Sequence, residues 1–405
     1  MPADTVSAEA RLTAFLNWAT KNGIKSPKAE LRYVGPDAGY GFFSIDQIRD
    51  NEVVIEVPQA VMITSAMICE IPAYNSVLQG FKKALTPAEV LALFIYVEKL
   101  NQNSSWKPYL DMLPRDFSTP LYTMPELPVE HLPAKARTCY QEQVTEVNDL
   151  KAKLAPIIEA FPDAAPFDET HYLWAWHVVN TRCIYCENRC HELVDTMTKS
   201  GQNIDDLALI PLMDMLNHDN EPQCQPGFDR RAEAYRVRAE KFVSDGAQLY
   251  VAYGSHDNAK LWINYGFRLP ENGLNKVELP LSLILQLAEA VGVKPNERML
   301  QILNDGDNYS CHMYDGIVRI PEGLCQACRL LKMSKDQLKD YNRILQKSRL
   351  DEKFHRAVTG LALKILSKLS ELLGKRRDAA PDELKWLWLE QIDIVEGVLH
   401  PARER

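Results

Sequence analysis

Long apolar runs, a secretion signal and nucleotide-binding glycine motifs are all missing from this 405-residue sequence. The longest uninterrupted apolar stretch covers residues 90–97, whereas a membrane-spanning helix needs about 20 apolar residues. The first ten residues contain no basic segment followed by an apolar run, so we expect no secretion signal. Neither a GxGxxG fingerprint nor a P-loop is present. These absences argue against a membrane protein and against dinucleotide-binding or P-loop folds.

Basic charge and cysteine are also scarce. The formal net charge is −9, which argues against direct nucleic-acid binding through a basic surface. Nine cysteines in 405 residues are too few for a disulfide scaffold, and an odd number leaves at least one thiol unpaired. A reducing compartment is therefore expected, the cytoplasm, the nucleus or both.

The hydrophobic pattern changes along the chain. Residues 31–64 read as short strands around the turn-rich segment GPDAGYG. Thr86 begins a capping box that leads into a buried helix, and the proline-rich stretch 106–128 predicts an extended crossing segment. Residues 232–253 return to strand texture. A β-rich core interrupted by helices fits this order better than alternating βαβ units.

The remainder of the chain, from residue 276 onward, is mostly helical in pattern. One apolar stripe begins at Phe354, repeats at helical spacing and is predicted to close at Gly374. The basic run that follows, residues 375–377, is expected to be solvated charge at the end of that helix.

Polar residues interrupt apolar surroundings in several short segments. They read GYG at 39–41, NTR at 180–182, DMLNH at 214–218 and YGSHDNAKLWINYGF at 253–267. Each has an ordinary structural interpretation on its own, as a turn, a satisfied buried polar group or core tyrosines. Their combination and order carry more information than any one of them.

In this order the segments resemble a SET domain, in the class typified by the Rubisco large-subunit lysine methyltransferase of plants. Residues 105–114 and 171–182 resemble animal members of that class. The resemblance implies an α+β fold, with a β-rich SET core split by a helical insertion and followed by an all-helical C-terminal substrate-binding domain. The predicted boundaries are a helical N-terminal extension at 1–29, the SET domain at 30–270 with its insertion at about 80–180, and the helical domain at 276–405.

The resemblance also implies S-adenosylmethionine as co-substrate and methyl transfer to a protein side-chain nitrogen, with no metal. The residues that match the cofactor-binding positions of the family are Gly39, Tyr40, Gly41, Arg182, Asp214, Asn217, His218 and Tyr253. Within this set Arg182 matches an arginine that contacts the cofactor carboxylate, a charge-assisted pair, and Asp214 lies beside it in the pattern.

Tyr253 is the predicted catalytic residue, because a phenol oxygen can stabilise the cationic centre as the methyl group moves from sulfur to nitrogen. The predicted substrate-binding residues are Ile184, Met213, Tyr265 and Phe267. A histidine-methylating branch of the family carries Asn and Trp where this chain has Ile184 and Met213. Without that polar partner an imidazole loses a hydrogen bond, so lysine is favoured.

Three further hypotheses accompany this prediction. Histidine methylation is the chemical alternative, and a catalytically silent SET scaffold that binds peptides is the alternative from another class. The expected partner is a protein or peptide, a histone among the candidates, bound by a monomer that needs neither nucleic acid nor membrane. A zinc site is the third, suggested by Cys183, Cys186, Cys190 and His191 and by the pair Cys325 and Cys328. It is disfavoured because structural zinc usually takes two such pairs at compatible separations.

Overall fold

The computed structural model describes residues 7–36, 38–162, 165–198, 200–304, 309–339 and 352–401. The described chain divides into two compact units. The first draws on Met1–Pro125, Cys139–Ser255 and Leu261–Phe267, and the second on Glu126–Thr138, His256–Lys260 and Arg268–Arg405. The predicted domain boundaries remain predictions.

The described residues of the first unit form ten strands, given in chain order: β1 Ala29–Gly35, β2 Gly39–Ser44, β3 Val53–Pro58, β4 Ile63–Thr64, β5 Ile184–Tyr185, β6 Leu207–Leu209, β7 Asn217–His218, β8 Cys224–Asp229, β9 Ala234–Ala239 and β10 Gln248–Val251. They form three small sheets, ordered β1-β2-β10-β7, β3-β9-β8 and β4-β6-β5. Every sheet therefore joins strands from before and after the helical insertion.

The helices that precede or interrupt these strands are α1 Ala8–Lys21, α2 Ser65–Glu70, α3 Pro72–Gly80, α4 Pro87–Leu100, α5 Lys107–Leu110, α6 Pro120–Thr123, α7 Ala134–Glu159 and α8 Glu169–Arg182. Helix α9 follows the strands at Asn258–Tyr265. The capping box of α4 is present, and its Glu89 Oε2 accepts a hydrogen bond from the Thr86 backbone N–H at 2.8 Å. Residues 90–96 are all buried, as a helix apolar on most sides requires.

The proline-rich stretch differs from the prediction of an extended segment. It contains the one-turn helices α5 and α6, with Pro108 and Pro120 in their first turns. Proline is tolerated there because those backbone N–H groups have no helical partner. Tyr109 and Leu110 of α5 are buried as a result.

The second unit is mostly helical, as predicted. Its elements are β11 Lys276–Leu279, α10 Leu281–Ala290, α11 Glu297–Asn304, β12 Cys311–Tyr314, α12 Glu322–Lys332, α13 Lys335–Lys339, α14 Glu352–Ala379 and α15 Lys385–Leu399. It also contains a two-stranded antiparallel sheet, β11 with β12, which the sequence pattern did not reveal. Strands of four residues are too short for their alternation to stand out from helical periodicity.

The predicted end of the last apolar stripe at Gly374 is wrong. Helix α14 continues to Ala379, so Gly374 lies inside it and the basic residues Arg376 and Arg377 occupy its last turn. Glycine ends a helix when it adopts a positive φ, and Gly374 is not among the glycines that do so. The helix-end position of the basic residues agrees with the prediction.

Candidate functional site

One sheet assembles three of the four predicted motifs. Strand β2 carries the GYG segment and pairs antiparallel with β10, where Leu249 lies opposite Phe42. Strand β10 pairs parallel with β7, with Tyr250 opposite Asn217 and Val251 opposite His218. The NH pair and the approach to Tyr253 therefore lie on adjacent strands, beside the GYG turn.

A cavity of about 400 Å³ lies at this edge of the first unit. Six of the eight predicted cofactor residues line it: Gly39, Tyr40, Arg182, Asp214, Asn217 and Tyr253. They come from four separate stretches of chain. The predicted residues that do not line it are Gly41, His218, Ile184, Met213, Tyr265 and Phe267.

The GYG turn brings backbone close to the side chain of Asn217. Asn217 Nδ2 donates to the Tyr40 carbonyl at 3.2 Å. A Cβ atom placed on Gly41 would lie 2.9 Å from that same nitrogen and 2.6 Å from Gln248 Nε2. Gly39 adopts a positive φ of 62°, a conformation that glycine takes without steric cost. Both positions therefore favour glycine, although a GxG sequence alone is weak evidence for a cofactor site.

Arg182 and Asp214 form a buried polar pair with Tyr109. Arg182 Nη1 donates to the Asp214 backbone carbonyl at 2.6 Å and lies 3.8 Å from its Oδ2. The Tyr109 hydroxyl donates to the same Oδ2 at 2.9 Å. The Asp214 side chain has no exposed surface, and burial raises the pKa of Asp214 to about 6 although Arg182 and Tyr109 act to lower it.

Two atoms of this pair have no hydrogen-bond partner among the described residues. They are Arg182 Nε and Asp214 Oδ1, both fully buried. An unpartnered buried donor or acceptor is uncommon in native proteins and calls for an explanation such as a ligand or ordered water. Both residues line the cavity.

Tyr253 is held by two hydrogen bonds and a ring contact. Its hydroxyl donates to the Leu216 carbonyl at 2.7 Å, and its backbone N–H donates to His218 Nδ1 at 3.1 Å. The two rings stack with centroids 5.1 Å apart. Burial raises the pKa of Tyr253 to about 12, so the phenol stays protonated at neutral pH. His218 thus supports Tyr253 instead of lining the cavity.

Tyr265 and Phe267 complete an aromatic cluster around Tyr253. The ring centroids of Tyr265 and Phe267 lie 5.1 Å and 6.4 Å from that of Tyr253. Between them Gly266 has a φ of 83°, and a Cβ there would lie 2.5 Å from the Ser118 carbonyl carbon. The close approach of this backbone fixes where both aromatic rings stand.

A comparison with known proteins agrees with this arrangement. The family model of the SET domain matches residues 39–254. The chain belongs to the SET domain family. Its predicted fold class is thereby confirmed, as a SET core with interrupting helices and a helical C-terminal region.

Individual relatives of this SET domain protein share about a quarter of its residues over the matched regions. SET domain-containing protein 4 of Mus musculus is 26% identical over 344 residues, which cover 83% of this chain and 76% of the relative. The actin-histidine N-methyltransferase of Gallus gallus is 26% identical over 282 residues, 66% of this chain and 44% of the relative.

Solved structures share the SET fold at lower identity. The SET domain of the Rubisco enzyme LSMT bound to lysine and AdoHcy superposes with a TM-score of 0.58 at 16% identity, over 98% of this chain and 91% of that one. LSMT bound to AdoMet gives the same TM-score and identity, covering 98% of this chain and 92% of that one. At this identity the likeness establishes the fold.

Ile184 and Met213, the residues predicted to favour lysine, do not line the cavity. Ile184 lies on β5 opposite Ala208. Met213 is buried, 2% exposed, and begins the short helical turn that also contains Asp214. In the sequence, Ile184 lies two residues after Arg182, and Met213 directly precedes Asp214.

Sequence reasoning missed several residues of the site. The most consequential is Tyr109, which bonds to the lining residue Asp214. Arg11, Tyr33 and the stretch 111–116 line the cavity themselves. Tyr109 lies 105 positions from Asp214 in the chain. The one available signal is its position within residues 105–114, which resemble animal members of the family.

The described residues were compared with the requirements of a metal site and of a membrane-spanning helix. No group of three or more His, Cys, Asp or Glu side chains is arranged to hold a metal ion within the described ranges, and all nine cysteines are free thiols. In the same part of the chain, none of the helices is both long enough and apolar enough to span a bilayer.

Proposed function

We propose that this protein is an S-adenosylmethionine-dependent protein-lysine N-methyltransferase. The observation that carries the proposal is the convergence of Gly39–Tyr40, Arg182, Asp214 with Asn217, and Tyr253 on one cavity. These are the residues that match the cofactor and catalytic positions of the SET family. The predicted co-substrate is further supported by the solved SET structures that hold AdoMet or AdoHcy.

The residues present fit this co-substrate. Arg182 offers a guanidinium whose Nε has no partner among the described side chains, which suits the carboxylate of an amino-acid group. The open backbone at Gly39, where an added Cβ atom would have no neighbour within 4 Å, leaves room for close approach by a ligand. Asn217 lines the cavity beside them.

When bound, S-adenosylmethionine supplies a methyl group on a positively charged sulfur. A neutral amine can attack this methyl carbon in line and displace the sulfur. Most of the protein's contribution is positioning and exclusion of water. The protonated Tyr253 phenol, fixed by its hydrogen bond to Leu216, presents an electron-rich oxygen and ring beside the cavity. Tyr265 and Phe267 form the neighbouring aromatic wall, a surface suited to a lysine side chain and its cationic product.

Lysine is proposed over histidine because of Ile184 and Met213. Neither side chain can form the strong hydrogen bonds that orient an imidazole ring. Histidine remains the second candidate, because relatives of this chain include actin-histidine N-methyltransferases. The substrate is proposed to be an intracellular protein, with histones as one class to test.

The experiment compares the half-buried Tyr253 with the buried Tyr235, whose hydroxyls both donate to backbone carbonyls at 2.7 Å. Tyr253 bonds to Leu216, and Tyr235, which does not line the cavity, bonds to Tyr185. Each is replaced by phenylalanine. AdoHcy binding is measured by calorimetry, and labelled methyl transfer into cell extract is followed by peptide mass spectrometry.

We expect Tyr253→Phe to bind AdoHcy but to transfer methyl groups about 100-fold more slowly, while Tyr235→Phe stays close to the wild type. Label confined to histidine would overturn the lysine assignment. Equal transfer by both variants would remove Tyr253 from its role. Failure of the folded wild type to bind AdoHcy would favour the silent scaffold.

A further inference from the structure

Tyr109 contacts Asp214, one of the residues that line the cavity, from a helix of only one turn. The ring is fully buried, and the hydroxyl donates to Asp214 Oδ2 at 2.9 Å. Neighbouring rings pack against it, with the centroids of Phe15 and Trp18 at 6.3 Å and 6.5 Å. The phenol therefore has one well-defined orientation, and Asp214 is its acceptor.

Asp214 in turn contacts a single nitrogen of Arg182 through two of its oxygens. Nη1 donates to the backbone carbonyl at 2.6 Å and lies 3.8 Å from Oδ2. Two oxygens of Asp214 thus hold the planar guanidinium at its Nη1 corner. Tyr109 restrains Oδ2, so the orientation of Arg182 depends on both partners.

The opposite edge of the guanidinium is the one that a ligand can use. Nε is buried and has no hydrogen-bond partner among the described residues, while the Arg182 side chain as a whole is 21% exposed and lines the cavity. Nε and Nη2 together form a planar fork that matches the two oxygens of a carboxylate. The remaining charged lining residues are Arg11, Asp111, Arg115 and Asp116, so three arginines face three aspartates and the cavity has no strong net field.

We propose that Tyr109 and Asp214 are positioning residues, which hold Arg182 so that its Nε edge receives the carboxylate of a bound amino-acid group. This inference rests on the proposed function, in which that group is the methionine part of the co-substrate. Tyr109 thereby influences which ligand binds, although its hydroxyl donates to Asp214 and not to the ligand.

The test uses two nucleosides that share adenosine and a thioether. AdoHcy carries the amino-acid group, and 5′-methylthioadenosine lacks it. Calorimetric affinities for both are measured for the wild type, Tyr109→Phe, Asp214→Asn, Arg182→Lys and the Tyr109→Phe/Arg182→Lys double variant. Tyr74→Phe is the matched control, because the buried Tyr74 hydroxyl also donates to a carboxylate, Glu98 Oε1 at 3.0 Å, outside the cavity.

Tyr109→Phe is expected to weaken AdoHcy binding about 10-fold, the usual scale for a hydrogen bond to a charged group, and to leave 5′-methylthioadenosine within about 2-fold. In the Arg182→Lys background the same change should have little further effect on AdoHcy, because the two residues act as one unit. Asp214→Asn should show the same selectivity as Tyr109→Phe, and Tyr74→Phe should change neither affinity.

Equal weakening of both nucleosides by Tyr109→Phe, or additivity with Arg182→Lys, would overturn the inference by showing a general structural effect. No change in AdoHcy affinity would overturn it as well. If Tyr109→Phe fails to fold, the comparison of the two ligands with Asp214→Asn decides. Binding of neither nucleoside by the wild type would instead contradict the proposed function itself.

Discussion

Replacing Asp214 with asparagine should stabilise the ligand-free protein, and increasingly so as the pH rises. The carboxyl group has no exposed surface, and burial raises its pKa from 3.8 to about 6. The folded protein therefore binds this proton more tightly than the unfolded chain does. Stability is lost as the pH rises from about 4 through 6, because the buried carboxylate must then be ionised.

The magnitude follows from the two pKa values. One pKa unit corresponds to 1.36 kcal/mol, so ionised Asp214 costs the fold about 3 kcal/mol above pH 6. About 2 kcal/mol of this develops between pH 4.5 and pH 8. Asparagine has nearly the same shape and can still accept the Tyr109 hydroxyl, so the variant escapes this cost.

The assay is urea unfolding of both proteins at several pH values between 4.5 and 8. Tryptophan fluorescence reports mainly the first unit, because five of the seven tryptophans belong to it: Trp18, Trp106, Trp174, Trp176 and Trp262. The difference between variant and wild type removes the titration of all other groups. Asp46→Asn is the control, because the hydrogen bond from Lys28 lowers the pKa of Asp46 below its usual 3.8. That group titrates below the pH range of the assay, so its difference curve should be nearly flat.

A difference between Asp214→Asn and wild type that changes by less than about 0.5 kcal/mol over this range would refute the reasoning. It would mean that the carboxylate is solvated or fully compensated in the folded protein. A difference that grows with pH, accompanied by weaker AdoHcy binding, would show that the site maintains a buried charge at the expense of stability.

Three glycine substitutions provide further predictions. Gly41→Ala should abolish AdoHcy binding in calorimetry while the protein stays folded, since its Cβ would displace the Asn217 amide 2.9 Å away; undiminished affinity would contradict the proposed cofactor turn. Gly266→Ala should lower the unfolding free energy by about 1–3 kcal/mol, because φ is positive and the Ser118 backbone is 2.5 Å from the new atom. Gly360→Ala is the control, because this glycine lies inside a helix with open space around the Cβ position. It should raise the unfolding free energy by about 0.5–1 kcal/mol. A loss of similar size in Gly266→Ala and Gly360→Ala would show that backbone conformation is not the cause.

The local features of this protein could be predicted because they depend on neighbouring residues. The capping box at Thr86 and the pairing of Gly35 with Gly39 across the turn-rich segment each depend on residues within a few positions. The same reasoning failed at Gly374, where a glycine remained in a helix. Propensity is a weak signal there, because tertiary packing along the rest of α14 outweighs a cost of about 1 kcal/mol.

The sequence by itself determined which residues carry the chemistry, through the order of its motifs and their resemblance to a family. Only the tertiary structure decided which of them meet. Strand pairing between β2, β10 and β7 joins segments that are far apart in the chain, and it placed Asn217 in the cavity but His218 behind Tyr253. The contact of Tyr109 with Asp214 likewise depends on tertiary structure, since a hydrogen bond across 105 positions leaves no local pattern in the sequence.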